Sequence, residues 1–217
     1  MSRAPDAPSP VVSLSVSDAP RVIDTLCDAF RDYPVMRYVL GDRDPDDPGR
    51  LETLIRFFVT ARVLRGEPMF GIRVGERLSA VATTSDPADR ETPAGLAEAR
   101  NACWEKLGDT ARERYERCGK IWAGFSVPVP HWHLNMIGAR EEVRGTGQGG
   151  LLLDRVHRLS REVRGSRGVS LTTEDARNVA IYEHAGYRVL DHARVAPELE
   201  TWYLFRFDDE GGGSRSQ

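Results

Sequence analysis

The chain has 217 residues, 40% of them hydrophobic and 29% charged, with a formal net charge of -3. That length supports one domain with a core needing no metal or disulfide staple. No apolar run approaches the roughly 18 residues of a membrane span, and a net negative charge without a basic arm speaks against nucleic acid as a partner. The opening "MSRAPDAPSP" has no apolar signal core, and Cys27, Cys103 and Cys118 form no CxxC pair. A soluble protein of the reducing cytoplasm is expected, its thiols serving as small buried hydrophobes.

A single domain is expected over residues 11–207, between loose ends at 1–10 and 208–217 that are rich in Pro, Ser, Gly and charge. "VVSLSV" (11–16) alternates like a strand, and Ser17 or Asp18 can cap a helix carrying Val22, Leu26 and Phe30 on one face. "GDRDPDDPG" breaks the chain before a second helix striped by Leu51, Leu54, Ile55, Phe58 and Val59. "MFGIRV" and "LSAVATT" read as a hairpin, residues 93–118 as helix, and "WAGFSVPVP" as turns leading into the strand "HWHLNMIGA". A helix bearing Leu152, Val156, Leu159 and Val163 follows, then the strand "VSLTT", the helix "RNVAIYEHA" stopped at Gly186, and the strand "TWYLFRF". Mixed strands and helices predict an α/β or α+β domain around a single sheet.

"EEVRGTGQGG" (141–150), between a strand and a helix, is either a flexible loop or a backbone cradle for phosphate, where glycines and a helix N-terminus converge several N–H groups. A P-loop is excluded because the stretch has no Lys. The GxGxxG spacing of Gly145, Gly147 and Gly150 lacks an acid ending a second parallel strand. Spacing alone leaves the loop and the cradle both open. Farther on, Asn178 and Tyr182 stand one helical turn apart, which predicts a polar face turned from the core and a separate apolar face with Ile181 and Ala185.

Arg144, Gly147 and Gly149 fit an RxxGxG pattern after a strand, and Asn178, Tyr182, Gly186 and Tyr187 fit N-x3-Y-x3-G-[FY]. Together they resemble the GNAT superfamily of N-acetyltransferases. "HW" before the strand core, "LxT" before "RN", "YExxGY" and "TWYL" resemble the branch around puromycin N-acetyltransferase. The resemblance implies a central mixed, mostly antiparallel sheet flanked by helices, with acetyl-CoA as co-substrate. Its pyrophosphate would rest on backbone N–H groups of Arg144, Gly145, Thr146, Gly147, Gln148, Gly149 and Gly150, and its pantetheine arm on main-chain atoms of Ile137, Gly138 and Ala139. Tyr182 is similar to the family's general acid, with Asn178 beside the pantetheine or orienting Tyr182.

This chain has Thr172 where that branch often has an acid, Asn135 where an acid would be reasonable, and Glu141 where the family commonly has Pro. His131, His133, Glu174 and ordered water stand as candidates for the base, and an α-amino acceptor would need none. His131 and His133 share a strand face, read as pocket wall in preference to a metal site lacking a third ligand. Tyr33, Tyr38, Trp104, Trp122 and Phe125 are candidates to line an acceptor cleft. The expected activity is acetyl transfer to a primary amine of a small molecule, such as an antibiotic or amino-nucleoside-like compound, by a monomer or homodimer. A protein or peptide N-acetyltransferase and a non-catalytic acyl-CoA-binding module are the alternatives.

Overall fold

A computed structural model describes residues 11–41, 49–86 and 91–208. The expected loose ends and the "GDRDPDDPG" break fall almost wholly outside these residues. The strands are β1 (Val12–Leu14), β2 (Met69–Val74), β3 (Arg77–Ser85), β4 (Trp132–Ala139), β5 (Gly168–Thr173), β6 (Arg188–Ala196) and β7 (Leu199–Phe207). The helices are α1 (Ala19–Ala29), α2 (Pro34–Leu40), α3 (Gly49–Leu64), α4 (Leu96–Leu107), α5 (Asp109–Trp122), α6 (Gln148–Glu162) and α7 (Ala176–His184).

The strands form one seven-stranded sheet in the order β1-β2-β3-β4-β5-β7-β6, in which only β4 and β5 run parallel. A core cluster lies on each face. One joins Val22 and Leu26 of α1, Leu54 and Ile55 of α3 and Val81 of β3; the other joins Leu152 and Val156 of α6, Leu134 of β4 and Leu204 of β7. Burying both faces of the centre explains why Leu78 to Thr84 of β3 read as an unbroken apolar and small run.

Three elements depart from the sequence reading. The helix expected over 93–118 is two helices, broken at Gly108, whose φ of +84° ends α4. The short α2 begins on Pro34, whose fixed φ suits a first helical turn, and buries Val35, Met36 and Val39. β6 completes the sheet at an edge with most of its residues exposed, so it carries no apolar alternation to read.

Two irregularities shape the centre. Thr83 pairs with Met136 and Thr84 with Leu134, so Asn135 is an extra residue in β4. This bulge resets the alternation: Leu134 enters the core under α6, whereas Met136 enters the core under α1 and α3. The second irregularity is a split. β4 and β5 pair only over Trp132–Leu134 and Val169–Leu171, after which β4 continues along β3 and β5 along β7.

Candidate active site

The split opens into a cavity of about 1510 Å³, larger than the roughly 300 to 1,000 Å³ usual for one drug-sized ligand. Its wall brings together Ile137, Gly138, Ala139, Arg144, Asn178 and Tyr182 from the expected site, with His131, His133 and Glu174. Residues 145 to 150 are not part of that wall; they form the adjoining turn into α6.

The main chain along the split follows from the β3–β4 register. Arg140 N–H donates to Ser79 O at 2.9 Å, so by antiparallel alternation the polar groups of Gly138 also point toward β3, and those of Ile137 and Ala139 face the open edge. Gly138 has a packing role instead. A Cβ there would lie 2.5 Å from Ala29 Cβ and 3.2 Å from Phe30 Cε2, so its absence lets α1 settle against β4.

In the glycine turn, Gly145 and Gly147 have φ of +77° and +86°, and Gly147 caps α6. Arg144 donates to Ala29 O at 3.1 Å, tying the turn to α1, and Ser79 Oγ donates to Gln148 Oε1 at 2.7 Å, tying it to β3. The N–H groups of Gln148, Gly149 and Gly150 belong to the first turn of α6 and have no intrahelical acceptor. Apart from the adjoining backbone, nothing lies within 4 Å of a Cβ built on Gly145, Gly147, Gly149 or Gly150, so no other element packs on the outside of this turn.

No protein-family model matches the chain. Among solved structures it resembles a histone acetyltransferase HPA2 and related acetyltransferase from Corynebacterium glutamicum, at 20% identity and a TM-score of 0.66, over 92% of this chain and 96% of that one. It also resembles a polyamine N-acetyltransferase of Drosophila melanogaster that forms N-acetylagmatine (16%, TM-score 0.59, 90% and 97%). A ribosomal-protein-alanine N-acetyltransferase from Brucella melitensis is a third (14%, TM-score 0.55, 91% and 98%). The fold is that of the GNAT N-acetyltransferases.

On this GNAT fold α7 is turned differently from the periodicity reading. Ile181 is 59% exposed and lines the cavity, while Tyr182 packs against the α6-side core beside Val179 and Ala185. Tyr182 meets Tyr187 edge-on with ring centroids 5.7 Å apart, and the Tyr187 hydroxyl is 2.9 Å from His157 Nε2. Burial, and then the charge of Glu174, push the Tyr182 phenol well above its ordinary range, so it holds its proton at neutral pH. Asn178 Nδ2 donates to Thr173 Oγ1 at 3.4 Å.

Of the expected aromatic lining, Tyr33, Trp122 and Phe125 reach the cavity; Trp104 belongs to the core and Tyr38 packs against it. Phe57, Tyr115 and Tyr203 line it without having been singled out from sequence, and Phe58, read there only as part of a helix stripe, joins them, because α3, α5 and β7 meet there only in the fold. His131 Nδ1–H donates to Val129 O at 2.7 Å, and His133 Nδ1 is 2.9 Å from Ser170 Oγ. Burial, with His131 and Arg62 adding to it, lowers His133 to about 4. Among the described residues no group of three His, Cys, Asp or Glu side chains could hold a metal ion.

Glu174, directly after β5, is 8% exposed. Thr201 Oγ1–H donates to its Oε1 at 2.8 Å, and Trp122 Nε1–H donates to Thr201 Oγ1 at 3.2 Å. Desolvation outweighs these donors and raises the carboxyl to about 7.

Proposed function

We propose that the protein transfers an acetyl group from acetyl-CoA to a primary amine of a small molecule, by direct attack with both substrates bound. The observation that carries this reading is the split between β4 and β5, which joins an open strand edge, a phenol that keeps its proton and a large aromatic cavity. The residues fit acetyl-CoA. Its pyrophosphate matches the free amides at the start of α6, where each helix-end contact with a charge is worth roughly 0.3 to 1 kcal/mol. Its pantetheine amides match the outward main chain of Ile137 and Ala139.

When bound, acetyl-CoA supplies the activated acyl group. An outward amide of β4 polarises the thioester carbonyl as negative charge develops on its oxygen. Tyr182 holds a proton for the departing sulfur, and Asn178, bonded to Thr173, fixes the start of α7 beside it. Phe57, Phe58, Trp122 and Tyr203 exclude water around the amine and favour an acceptor with an apolar body, such as an amino-nucleoside-like antibiotic of the puromycin kind. The fold neighbour whose reaction forms N-acetylagmatine supports a small amine. Free, mostly buried Cys27, Cys103 and Cys118 support work in a reducing cytoplasm, and no described helix is long and apolar enough to cross a membrane.

Calorimetric titration with acetyl-CoA tests the reading. Micromolar binding is expected for the wild type and its loss in Gly147→Asp, which strains a φ of +86° and puts a carboxylate among the phosphate-facing amides. Absence of binding to the wild type would overturn the proposal, and peptides acetylated faster than small amines would move the acceptor to protein N-termini.

A further inference from the structure

An acid buried in an aromatic cavity normally has a cationic partner or serves as an acceptor of structural hydrogen bonds. Glu174 forms no ion pair among the described residues, yet donors surround it. Thr201 Oγ1 accepts from Trp122 Nε1, which commits its own proton to Glu174 Oε1. On the other side, Thr173 Oγ1 accepts from Asp175 N and from Asn178 Nδ2, both at 3.4 Å, so its proton goes to the Tyr33 oxygen 2.9 Å away. The Tyr33 oxygen also accepts from Glu174 N–H at 3.0 Å, which leaves the phenol proton free to turn toward the carboxylate. The side chain is held ready for ionisation and lacks only a cation, which the cavity admits.

We propose that Glu174 is the proton acceptor of the reaction: it pairs with the ammonium group of the incoming acceptor and takes its proton, so that acceptors are alkyl primary amines that arrive charged. The proposal rests on the acetyltransferase reading above. Glu174 stands at the end of β5, across the split from Ile137 and Ala139, and acts electrostatically on Tyr182, which places base and acid in one cavity.

The step balances. The ammonium gives one proton to Glu174, the neutral nitrogen forms the C–N bond, and the C–S bond breaks as Tyr182 gives its proton to sulfur. The new amide nitrogen then returns its surplus proton to Tyr182, and Glu174 releases its own to solvent. Proton uptake by Glu174 also removes the negative charge that holds the Tyr182 proton, so the base stroke readies the acid stroke.

Of the two cavity histidines, His131 has its Nδ1–H on Val129 O, and His133, at about 4, is about a thousandfold weaker a base than Glu174 at about 7. The other titratable groups facing Glu174 stay neutral through this range: Tyr33 from the turn before α2, Tyr182 from α7, and Cys118 from α5, pushed up to about 12 chiefly by burial. Asp175, next in the chain, is held below its usual range by Arg177 and stays ionised.

The experiment is the pH profile of kcat/KM for wild type, Glu174→Gln and Thr201→Val, using the best acceptor among puromycin, 2-phenylethylamine and agmatine, with acetyl-CoA affinity measured on each variant. The wild type should lose activity below pH 7 as Glu174 gains a proton. Glu174→Gln should erase that acidic limb and lower kcat/KM by about 100-fold or more while still binding acetyl-CoA. Thr201→Val removes a donor to the carboxylate and should move the limb to higher pH, a shift that a merely structural role would not produce. An active wild type whose limb and rate persist in Glu174→Gln overturns the Glu174 assignment alone. A wild type that binds acetyl-CoA but acetylates none of the three amines overturns the small-molecule acetyltransferase reading, and the base assignment with it.

Discussion

A carboxyl that ionises near 7 in the folded chain, against an ordinary value of 4.5, keeps its proton longer folded than unfolded. Between these values the folded state binds more protons, so stability falls as pH rises. Above pH 7 the loss reaches about 3 kcal/mol for Glu174, at 1.36 kcal/mol per unit. Glu174→Gln is therefore expected to melt higher than the wild type above pH 7, with the gap closing toward pH 4.5, as thermal unfolding across pH would show. The sequence offered Glu174 only as one of several candidate bases. What singles it out is burial by partners as distant as 141 residues (Tyr33) and 27 residues (Thr201), which no local pattern encodes. Ile181 taught the reverse lesson: helical periodicity grouped it with Ala185 on a core-facing side opposite Tyr182, whereas Ala185 and Tyr182 share the α6-side core and Ile181 is left at the cavity.

At the scale of elements, Gly138 is a point of close approach between β4 and the end of α1. Gly138→Ala is expected to push α1 outward and destabilise the fold by about 1 to 3 kcal/mol, measured by denaturant unfolding, because the new methyl meets Ala29 Cβ at 2.5 Å. The periodic elements were legible: α1, α3, the β2–β3 hairpin, β4, α6, β5, α7 and β7 all stand near where apolar spacing and turn residues placed them. β6 was not, since an exposed edge strand needs no apolar face, and α2 was too short to show a period. The bulge at Asn135 was hidden for another reason. One extra residue leaves the apolar content of β4 unchanged and alters only which side each residue serves, so Met136 and Leu134 look equivalent in sequence and serve opposite cores.

At the scale of the whole molecule, β1 to β4 and β5 to β7 are joined within the sheet by three residue pairs of β4 and β5. Hydrogen exchange should find the outward amides of Ile137 and Ala139 poorly protected in the free protein, and acetyl-CoA should slow them strongly; equal exchange in both states would remove the pantetheine from that edge. On the proposed function, the acyl donor would lie along that edge as an additional strand between the two halves. Because such a ligand favours only the folded chain, 100-fold saturation would add about 2.7 kcal/mol to stability. On the proposed function, the split sheet couples the stability of this chain to its ligand: the pantetheine and pyrophosphate, common to acetyl-CoA and free CoA, would hold together two halves that the sheet itself joins by three residue pairs.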